Sequence, residues 1–269
     1  MNRLDDCFKA LKKVGKKALI PFVTAGDPNA DFTLSCMHAM AKSGADIIEL
    51  GVPFSDPMAD GPVIQKASER ALKGGMTLRG VIALVKRFRQ QDKQTPVVLM
   101  GYLNPIEFMG YEAFAASASE AGVDGVLTVD IPPEESAELV AAYEKHGISP
   151  VFLLAPTSLP HRIKKVVALA KGYIYYVSLK GVTGTGSFDL DDVANKIEEI
   201  KQFTSLPLAV GFGVKNADLA ANIAKIGDAV VVGSALIDCI TANADDYEQA
   251  QAAISSLVND MRIGMDAVS

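Results

Sequence analysis

Residues 48–61, I-E-L-G-V-P-F-S-D-P-M-A-D-G, begin as an apolar strand and end as an acidic, proline-containing loop. The run over residues 46–52 is almost continuously apolar, which is typical of a parallel strand covered on both faces. Glu49 interrupts this run, and burying an ionised side chain without a partner is costly. With Asp56 and Asp60 on the loop that follows, Glu49 indicates acid/base chemistry at the mouth of an α/β fold. The alternative is a structural ion pair between Glu49 and a basic residue on a neighbouring strand.

Around this stretch, short apolar strands alternate with amphipathic helices along the whole chain. Strands are predicted at 18–25, 46–52, 96–102, 125–130, 149–154, 173–178, 207–211 and 229–232. Helices are predicted at 2–13, 30–43, 62–73, 77–91, 111–121, 133–146, 160–170, 189–202, 216–226 and 244–265. Strands that alternate with helices in this way predict a parallel sheet.

Eight strand-then-helix units fit a closed (β/α)8 TIM barrel of the α/β class better than an open sheet. The helix at 2–13 precedes the first strand and is therefore an extra N-terminal helix. Two helices, at 62–73 and 77–91, follow strand two, so one of them is an inserted helix. No low-complexity segment or Ser-rich linker interrupts residues 1–269, and we expect a single barrel domain.

Composition excludes several functional classes. A chain of 269 residues with a net charge of -6 is a poor candidate for binding nucleic acid or an anionic membrane surface. Its cysteines, Cys7, Cys36 and Cys239, are far apart and lack the spacing of a disulfide framework or a zinc site. The sequence shows neither an apolar leader nor a long apolar run. We therefore expect a cytoplasmic protein that does not enter the membrane.

In a barrel of this kind, the active site lies at the carboxyl ends of the strands. The residues at those ends are Phe22, Thr24, Met100, Tyr102, Asn104, Leu127, Asp130, Tyr175 and Ser178. Most are large and apolar, which predicts a bulky, flat and mostly apolar substrate. For Phe22, Met100, Leu127 and Tyr175, ordinary packing of the barrel interior is the alternative.

Glycine-rich segments follow the last three strands: G-V-T-G-T-G at 181–186, G-F-G at 211–213 and G-S-A at 233–235. Glycine allows backbone N–H groups to approach a ligand, and barrels of this type often bind phosphate at these loops. A short extra helix starting at Ser234 would add a favourable dipole. Gly184 and Gly186 also suggest a mobile lid after strand six.

The sequence does not support catalysis by a histidine, a lysine or a metal ion. The three histidines, His38, His146 and His161, fall on helices. Lys180 is the single lysine near a strand end, which argues against a Schiff-base aldolase. No carboxylate cluster has the spacing of metal ligands, so we expect no metal.

Four motifs carry a resemblance to a known family. They are P-F-V-T-A-G-D-P at 21–28, the stretch at 48–61, G-V-T-G at 181–184 and G-F-G-V at 211–214. Over essentially its full length the chain resembles the α subunit of tryptophan synthase. This resemblance implies a (β/α)8 lyase that cleaves indole-3-glycerol phosphate to indole and glyceraldehyde 3-phosphate without a cofactor of its own.

The same resemblance implies roles for individual residues. Glu49 would be the general acid/base, and Asp60 would hold the indole N–H as positive charge develops. The indole pocket would be formed by Phe22, Met100, Tyr102, Leu127, Tyr175 and Phe212. Phosphate would be bound by Gly184, Gly213, Gly233 and Ser234, with Thr183 contacting Asp60 on loop closure. The apolar strand favours a raised pKa for Glu49, whereas Asp60 on its loop is better placed to stay charged.

The resemblance also implies a partner. The loop with Pro53, Phe54 and Asp56 would face a β subunit that carries pyridoxal phosphate, in a heterotetramer of two α and two β chains. Leu179 and Lys180 depart from the small or basic residues of many relatives before the glycine loop.

Two alternatives to this function remain open at this stage. One is another phosphate-binding barrel, an isomerase or a prenyltransferase. The other is an inactive barrel retained as an allosteric partner of a β-type subunit.

Overall fold

The computed structural model describes residues 2–178, 190–211 and 213–268, and its parallel strands close into a barrel. The strands are β1 (Ala18–Thr24), β2 (Ile48–Gly51), β3 (Val97–Gly101), β4 (Gly125–Thr128), β5 (Ser149–Leu154), β6 (Ile174–Val177), β7 (Leu208–Gly211) and β8 (Ala229–Val232). Each strand pairs with the next in the chain, and β8 pairs with β1 to close the sheet. The predicted (β/α)8 barrel is confirmed.

The helices surround this barrel. They are α1 (Arg3–Lys13), α2 (Ala30–Lys42), α3 (Pro62–Lys73), α4 (Leu78–Phe88), α5 (Leu103–Met109), α6 (Tyr111–Ala121), α7 (Ala137–Lys145), α8 (Pro160–Leu169), α9 (Leu190–Lys201), α10 (Ala217–Ala224), α11 (Ser234–Ala242) and α12 (Tyr247–Asp266). The extra N-terminal helix is α1, and α3 and α4 together account for the inserted helix after strand two. The short helix expected at Ser234 is α11.

One helix begins later than predicted, and one was not predicted. The helix predicted from residue 133 begins only at Ala137, because residues 132–135 form a turn. In this turn the Glu135 N–H donates to the Pro132 carbonyl at 3.0 Å, and the Ser136 hydroxyl donates to the Pro133 carbonyl at 3.0 Å. The second difference is α5, which is too short to produce a clear periodic pattern in the sequence.

Asp130, a strand-end candidate from the sequence, proves to support α5. Its Oδ1 accepts a hydrogen bond from the Leu103 N–H at 2.8 Å, at the first residue of that helix. Side chains that accept from the first N–H groups of a helix satisfy donors that otherwise have no partner. The role of Asp130 is therefore structural.

The N-terminal helix α1 covers the amino end of the barrel. Its Leu4 and Phe8 are buried within the cluster of side chains that fills the barrel interior. Arg3 and Arg89 hold the two carboxylate oxygens of buried Asp124, each at 2.8 Å. These contacts attach α1 to the amino end of the barrel. No helix in the described parts of the chain is both long and apolar enough to span a bilayer.

Candidate active site

Glu49 lies inside the barrel, where the alternation of side chains along β2 places it. Its neighbours Ile48 and Leu50 pack outward into the core between the sheet and the helices. Successive side chains of a strand point to opposite faces, so Glu49 points inward. Its side chain is fully buried, and in the parallel register Phe22 and Val98 flank it on β1 and β3.

Among the described residues, the carboxyl group of Glu49 is held by a hydroxyl group and not by a cation. Tyr173, immediately before β6, donates a hydrogen bond to Oε1 of Glu49. The other oxygen, Oε2, is buried and has no hydrogen-bond partner among the described residues. The contact to Tyr173 removes the ion-pair alternative raised by the sequence. Burial of an acid with one neutral donor is a feature of groups that change protonation state.

Burial raises the pKa of Glu49 from 4.5 to about 7, and the hydrogen bond from Tyr173 opposes part of that shift. Burial has this effect because it disfavours the charged form. At neutral pH, the acid and the base forms of Glu49 are therefore both present in quantity, which is the condition for a group that must donate and then accept a proton.

Replacing Glu49 by glutamine should make the free energy of unfolding less dependent on pH. With the pKa raised from 4.5 to about 7, the folded wild type keeps a proton that the unfolded chain releases. Stability is then lost as the pH rises through this interval, by on the order of 3 kcal/mol. The free energy of unfolding can be measured in urea at pH 5 and pH 8. From the lower to the higher pH, the stability of the glutamine variant relative to the wild type should increase by about 2–3 kcal/mol. The same pH dependence in both proteins would contradict the raised pKa.

Asp60 borders a narrow cleft at the carboxyl ends of β1, β2 and β3. The cleft is lined by Phe22, Thr24, Met100 and Tyr102 as well as Asp60. The Tyr102 hydroxyl accepts the Ala59 N–H at 3.0 Å and so ties the Asp60 loop to β3. Five candidates from the sequence thus meet here: Asp60, Phe22, Thr24, Met100 and Tyr102.

The Asp60 carboxyl is half-buried, and this changes its acidity. Burial raises the pKa of Asp60 to about 6, while interaction with the Tyr102 hydroxyl lowers it. The expectation from the sequence was that Asp60 is better placed than Glu49 to stay charged. The expected order, with Glu49 above Asp60, is found, and at neutral pH Asp60 is still mostly ionised. The two acids therefore differ in protonation state.

Glu49 and the Asp60 cleft are neighbours on the same strands. Gly51 lies two residues beyond Glu49, borders the cleft and pairs in register with Met100. A Cβ on Gly51 would lie 2.6 Å from the tip of the Phe22 ring, so only glycine admits that ring here. The Glu49 carboxyl is turned away from the cleft toward Tyr173, so it must rotate to reach a ligand bound beside Asp60.

The remaining indole-pocket predictions divide into two groups. Leu127 and Tyr175 are buried in the barrel interior, within the same cluster as Tyr173, and Leu127 pairs in register with Met100 of the cleft. Phe212, Thr183 and Gly184, together with Leu179 and Lys180, lie outside the described residues.

Two of the predicted phosphate-binding segments are described. Gly213 has a φ of 77°, and a Cβ there would meet no described residue within 4 Å. Gly233 precedes α11, whose N-terminus has no side-chain cap from the part of the chain that the structure describes, and Ser234 is its first residue. A Cβ on Gly233 would lie 3.4 Å from the Phe22 ring, so this segment adjoins the cleft. Free N–H groups at a helix N-terminus favour an anion.

Three residues that bear on function were missed by the sequence analysis. Tyr173 lies two positions before Tyr175, and alternation along the strand could have placed both side chains inside. Met58, on the loop after β2, and Phe108, on α5 after β3, expose 80% and 94% of their surfaces. A single exposed apolar residue gives no signal in the sequence.

The fold and these groups together define an α/β-barrel enzyme with two unlike acids at the carboxyl end of the barrel. The family model for the tryptophan synthase alpha chain matches residues 8–266. The chain belongs to this family, which confirms the resemblance drawn from the sequence and, with it, the expected lyase activity on indole-3-glycerol phosphate in tryptophan biosynthesis.

Individual relatives agree along the full length. The tryptophan synthase alpha chain of Thioalkalivibrio sulfidiphilus is 59% identical over 99% of this chain and 100% of its own. That of Marinobacter nauticus is 54% identical over 100% of both chains. The crystal structure of tryptophan synthase subunit alpha from Legionella pneumophila superposes with a TM-score of 0.94 at 44% identity, covering 99% of each chain.

Proposed function

We propose that the chain cleaves indole-3-glycerol phosphate to indole and glyceraldehyde 3-phosphate with Glu49 as general acid and base and Asp60 as the carboxylate at the indole N–H. The observation that carries this assignment is the contrast between the two acids. Glu49 has a pKa of about 7 and can both give and take a proton, whereas Asp60 has a pKa of about 6 and is mostly anionic at neutral pH.

Each acid has a defined task in a retro-aldol cleavage. Protonated Glu49 gives its proton to the indole ring carbon that bears the glycerol chain, and positive charge then develops toward the ring nitrogen. Ionised Asp60 stabilises that charge through the N–H. Glu49, now a carboxylate, takes the proton of the adjacent hydroxyl. The carbon–carbon bond breaks, its electron pair returns to the indole ring, and the hydroxyl carbon becomes the aldehyde.

This sequence of steps requires Glu49 to leave Tyr173. Its buried Oε2 makes no hydrogen bond within the described residues, so the bond from Tyr173 is the one hydrogen bond described that must break for rotation toward the cleft. A buried acceptor without a donor is unfavourable, and a substrate hydroxyl in the cleft would supply one. We infer that substrate binding draws the Glu49 carboxyl upward, between Phe22 and Met100.

The substrate would lie with its ring and its phosphate on opposite sides of the barrel mouth. Phe22 and Met100 provide apolar contact for the indole ring next to Asp60. Gly213, Gly233 and Ser234 would bind the phosphate through their N–H groups. Phe212, Gly184 and Thr183 keep their proposed roles in the pocket, the phosphate site and loop closure.

Gly213→Val should weaken phosphate binding more than indole binding. Valine is strained at a φ of 77°, so the N–H groups of this turn would move. We expect the dissociation constant of indole-3-propanol phosphate to rise about tenfold and that of indole to change little, as measured by calorimetry. Gly147→Val is the matched control, because Gly147 has a φ of 70° and open space around it, but precedes β5 at the other end of the barrel. An equal loss for both ligands would count against a phosphate site at Gly213.

We further propose that the carboxyl face binds a β subunit that carries pyridoxal phosphate, in a tetramer of two α and two β chains. Phe54 stacks on Tyr102 with ring centroids 5.2 Å apart, which links the loop of Pro53, Phe54 and Asp56 to the cleft. Exposed Met58 and Phe108 add apolar surface beside it. Large exposed apolar side chains near a site are typical of protein interfaces.

Phe108→Ala should weaken association with the β subunit while leaving the basal reaction unchanged. A large aromatic side chain at an interface often contributes a major part of the affinity, so we expect about a tenfold rise in the dissociation constant. Titration of activity with β subunit measures it. Ile263→Ala, at an exposed apolar residue of α12, is the control. The same affinity for wild type and Phe108→Ala would exclude this residue from the interface.

The experiment that tests the proposed function is turnover of indole-3-glycerol phosphate by the purified chain, with indole measured directly, alone and with β subunit. An inactive barrel would release no indole in either case, and an isomerase or prenyltransferase would leave this substrate uncleaved.

We place the reaction in the cytoplasm and treat residues 1–269 as one domain. The free thiols of Cys7, Cys36 and Cys239 support a reducing compartment.

A further inference from the structure

A pocket of about 560 Å³ opens at the end of the barrel opposite the two acids. Its rim includes Lys17, Gly172, Pro207 and Asp228, which come just before β1, β6, β7 and β8. These positions mark the amino ends of four adjacent strands. Nothing in the lyase reaction uses this end of the molecule. Its volume lies within the range of about 300–1,000 Å³ that is typical of small-molecule sites.

Part of the pocket wall is apolar. Phe8 and Leu11 of α1 form one side, and Leu206 and Pro207, at the entry to β7, form another. Phe8 is almost fully buried, whereas Leu11 and Leu206 are only partly covered. Partly exposed apolar side chains that face one another across a pocket favour a ligand with a ring or another flat apolar body.

The rest of the wall is mainly basic. Four lysines, Lys9, Lys12, Lys16 and Lys17, line the pocket with two aspartates, Asp5 and Asp228. This excess of positive charge occurs in a protein with a net charge of -6. Positive charges around one concave surface raise the local concentration of anions.

The lysines differ in their existing partners. Lys17 lies 3.7 Å from Asp228, and Lys16 lies 2.6 Å from Asp266. Lys12 is exposed and forms no ion pair with any residue that the structure describes. Lys12 is therefore the cation whose charge is least compensated, beside the apolar side chains of its own helix.

A chain of contacts leads from this pocket to the catalytic acid. The Phe8 ring packs on the Tyr173 ring with centroids 6.0 Å apart and planes inclined by 52°. The Tyr173 hydroxyl in turn donates to Glu49. A ligand that presses on Phe8 therefore acts on the residue that holds Glu49 in its position away from the cleft.

We propose that this pocket is a second ligand site, for a small aromatic anion such as a carboxylate, sulfonate or phosphate, and that its occupancy is coupled to the substrate site through Phe8 and Tyr173. The aromatic body lies against Phe8, Leu11 and Leu206, and the acidic group meets Lys12. The two sites lie at opposite ends of one barrel, so both can be filled at once. Binding at this site does not depend on the role given to Glu49.

Fluorescence titration with 8-anilinonaphthalene-1-sulfonate tests the site, because this dye is an aromatic sulfonate. Lys12→Glu is expected to raise the dissociation constant of the dye about tenfold, since it reverses a charge next to the sulfonate. Lys13→Glu is the matched control: it makes the same change at the next residue of α1, which does not line the pocket. An equal loss in both variants, or none in either, overturns the proposed site.

The coupling is tested by repeating the titration with indole-3-propanol phosphate present. If the sites are coupled, the analogue changes the dye's dissociation constant up to a limit of about fivefold, reached when the substrate site is saturated. The dye then changes the affinity for the analogue by the same factor. If the dye's apparent dissociation constant keeps rising as more analogue is added, the dye occupies the substrate site. That result overturns the proposal. A constant that does not change at all overturns the coupling. Neither result bears on whether the chain cleaves indole-3-glycerol phosphate.

Discussion

Replacing Glu49 by glutamine is expected to lower kcat for indole-3-glycerol phosphate cleavage by about 10² or more, while the substrate still binds. Glutamine keeps the size of the side chain and can still accept the hydrogen bond from Tyr173. It cannot give a proton to the ring carbon or take one from the hydroxyl. Single-turnover release of indole, with binding of indole-3-propanol phosphate measured separately, distinguishes lost chemistry from lost affinity.

Tyr173→Phe separates the effect of the Glu49 carboxyl from that of the hydroxyl that holds it. It removes the hydroxyl that holds Glu49 but leaves the carboxyl in place, so turnover should change by much less, about tenfold at most. Turnover at the wild-type level in Glu49→Gln would remove this residue from the mechanism. A larger loss in Tyr173→Phe than in Glu49→Gln would assign the chemistry to the tyrosine instead.

The second large effect is expected for Asp60→Asn, which should lower kcat by about 10². Asparagine has nearly the same shape and can still interact with Tyr102, but it carries no charge to stabilise the positive ring. Asp56→Asn is the matched control, because Asp56 lies on the same loop and is exposed. Steady-state kinetics of the isolated chain measure both variants. An equal effect of the two substitutions would show that the charge of the loop matters, and not the position of Asp60.

The barrel could be predicted because its signal is local. Alternation of apolar strands with amphipathic helices is set by neighbouring residues, and it located all eight described strands within one or two residues of their ends. Glu49 was also visible from the sequence, because an acid within a continuous apolar strand is conspicuous. Its inward direction follows from the alternation along β2. Both predictions rest on periods that the chain itself carries.

What the sequence could not provide depends on contacts between distant segments. Tyr173 and Glu49 are 124 positions apart, and only closure of the barrel brings their oxygens together. The raised pKa of Asp60 likewise results from the way its loop is covered, and not from the loop's composition. Helix α5 is too short for a clear periodic pattern, and its first N–H is bound by Asp130, 27 positions away. The late start of α7 goes with the hydrogen bond of the Ser136 hydroxyl to the Pro133 carbonyl.

A crystal structure with bound indole-3-propanol phosphate would show whether two unlike acids face one substrate at the carboxyl end of the barrel. We expect the phosphate within hydrogen-bonding distance of the N–H groups of Gly213 and Ser234. We also expect the indole N–H at the carboxylate of Asp60 and the Glu49 carboxyl rotated from Tyr173 toward the ring. Phosphate bound elsewhere, or an indole ring beyond the reach of either acid, would contradict the proposed mechanism.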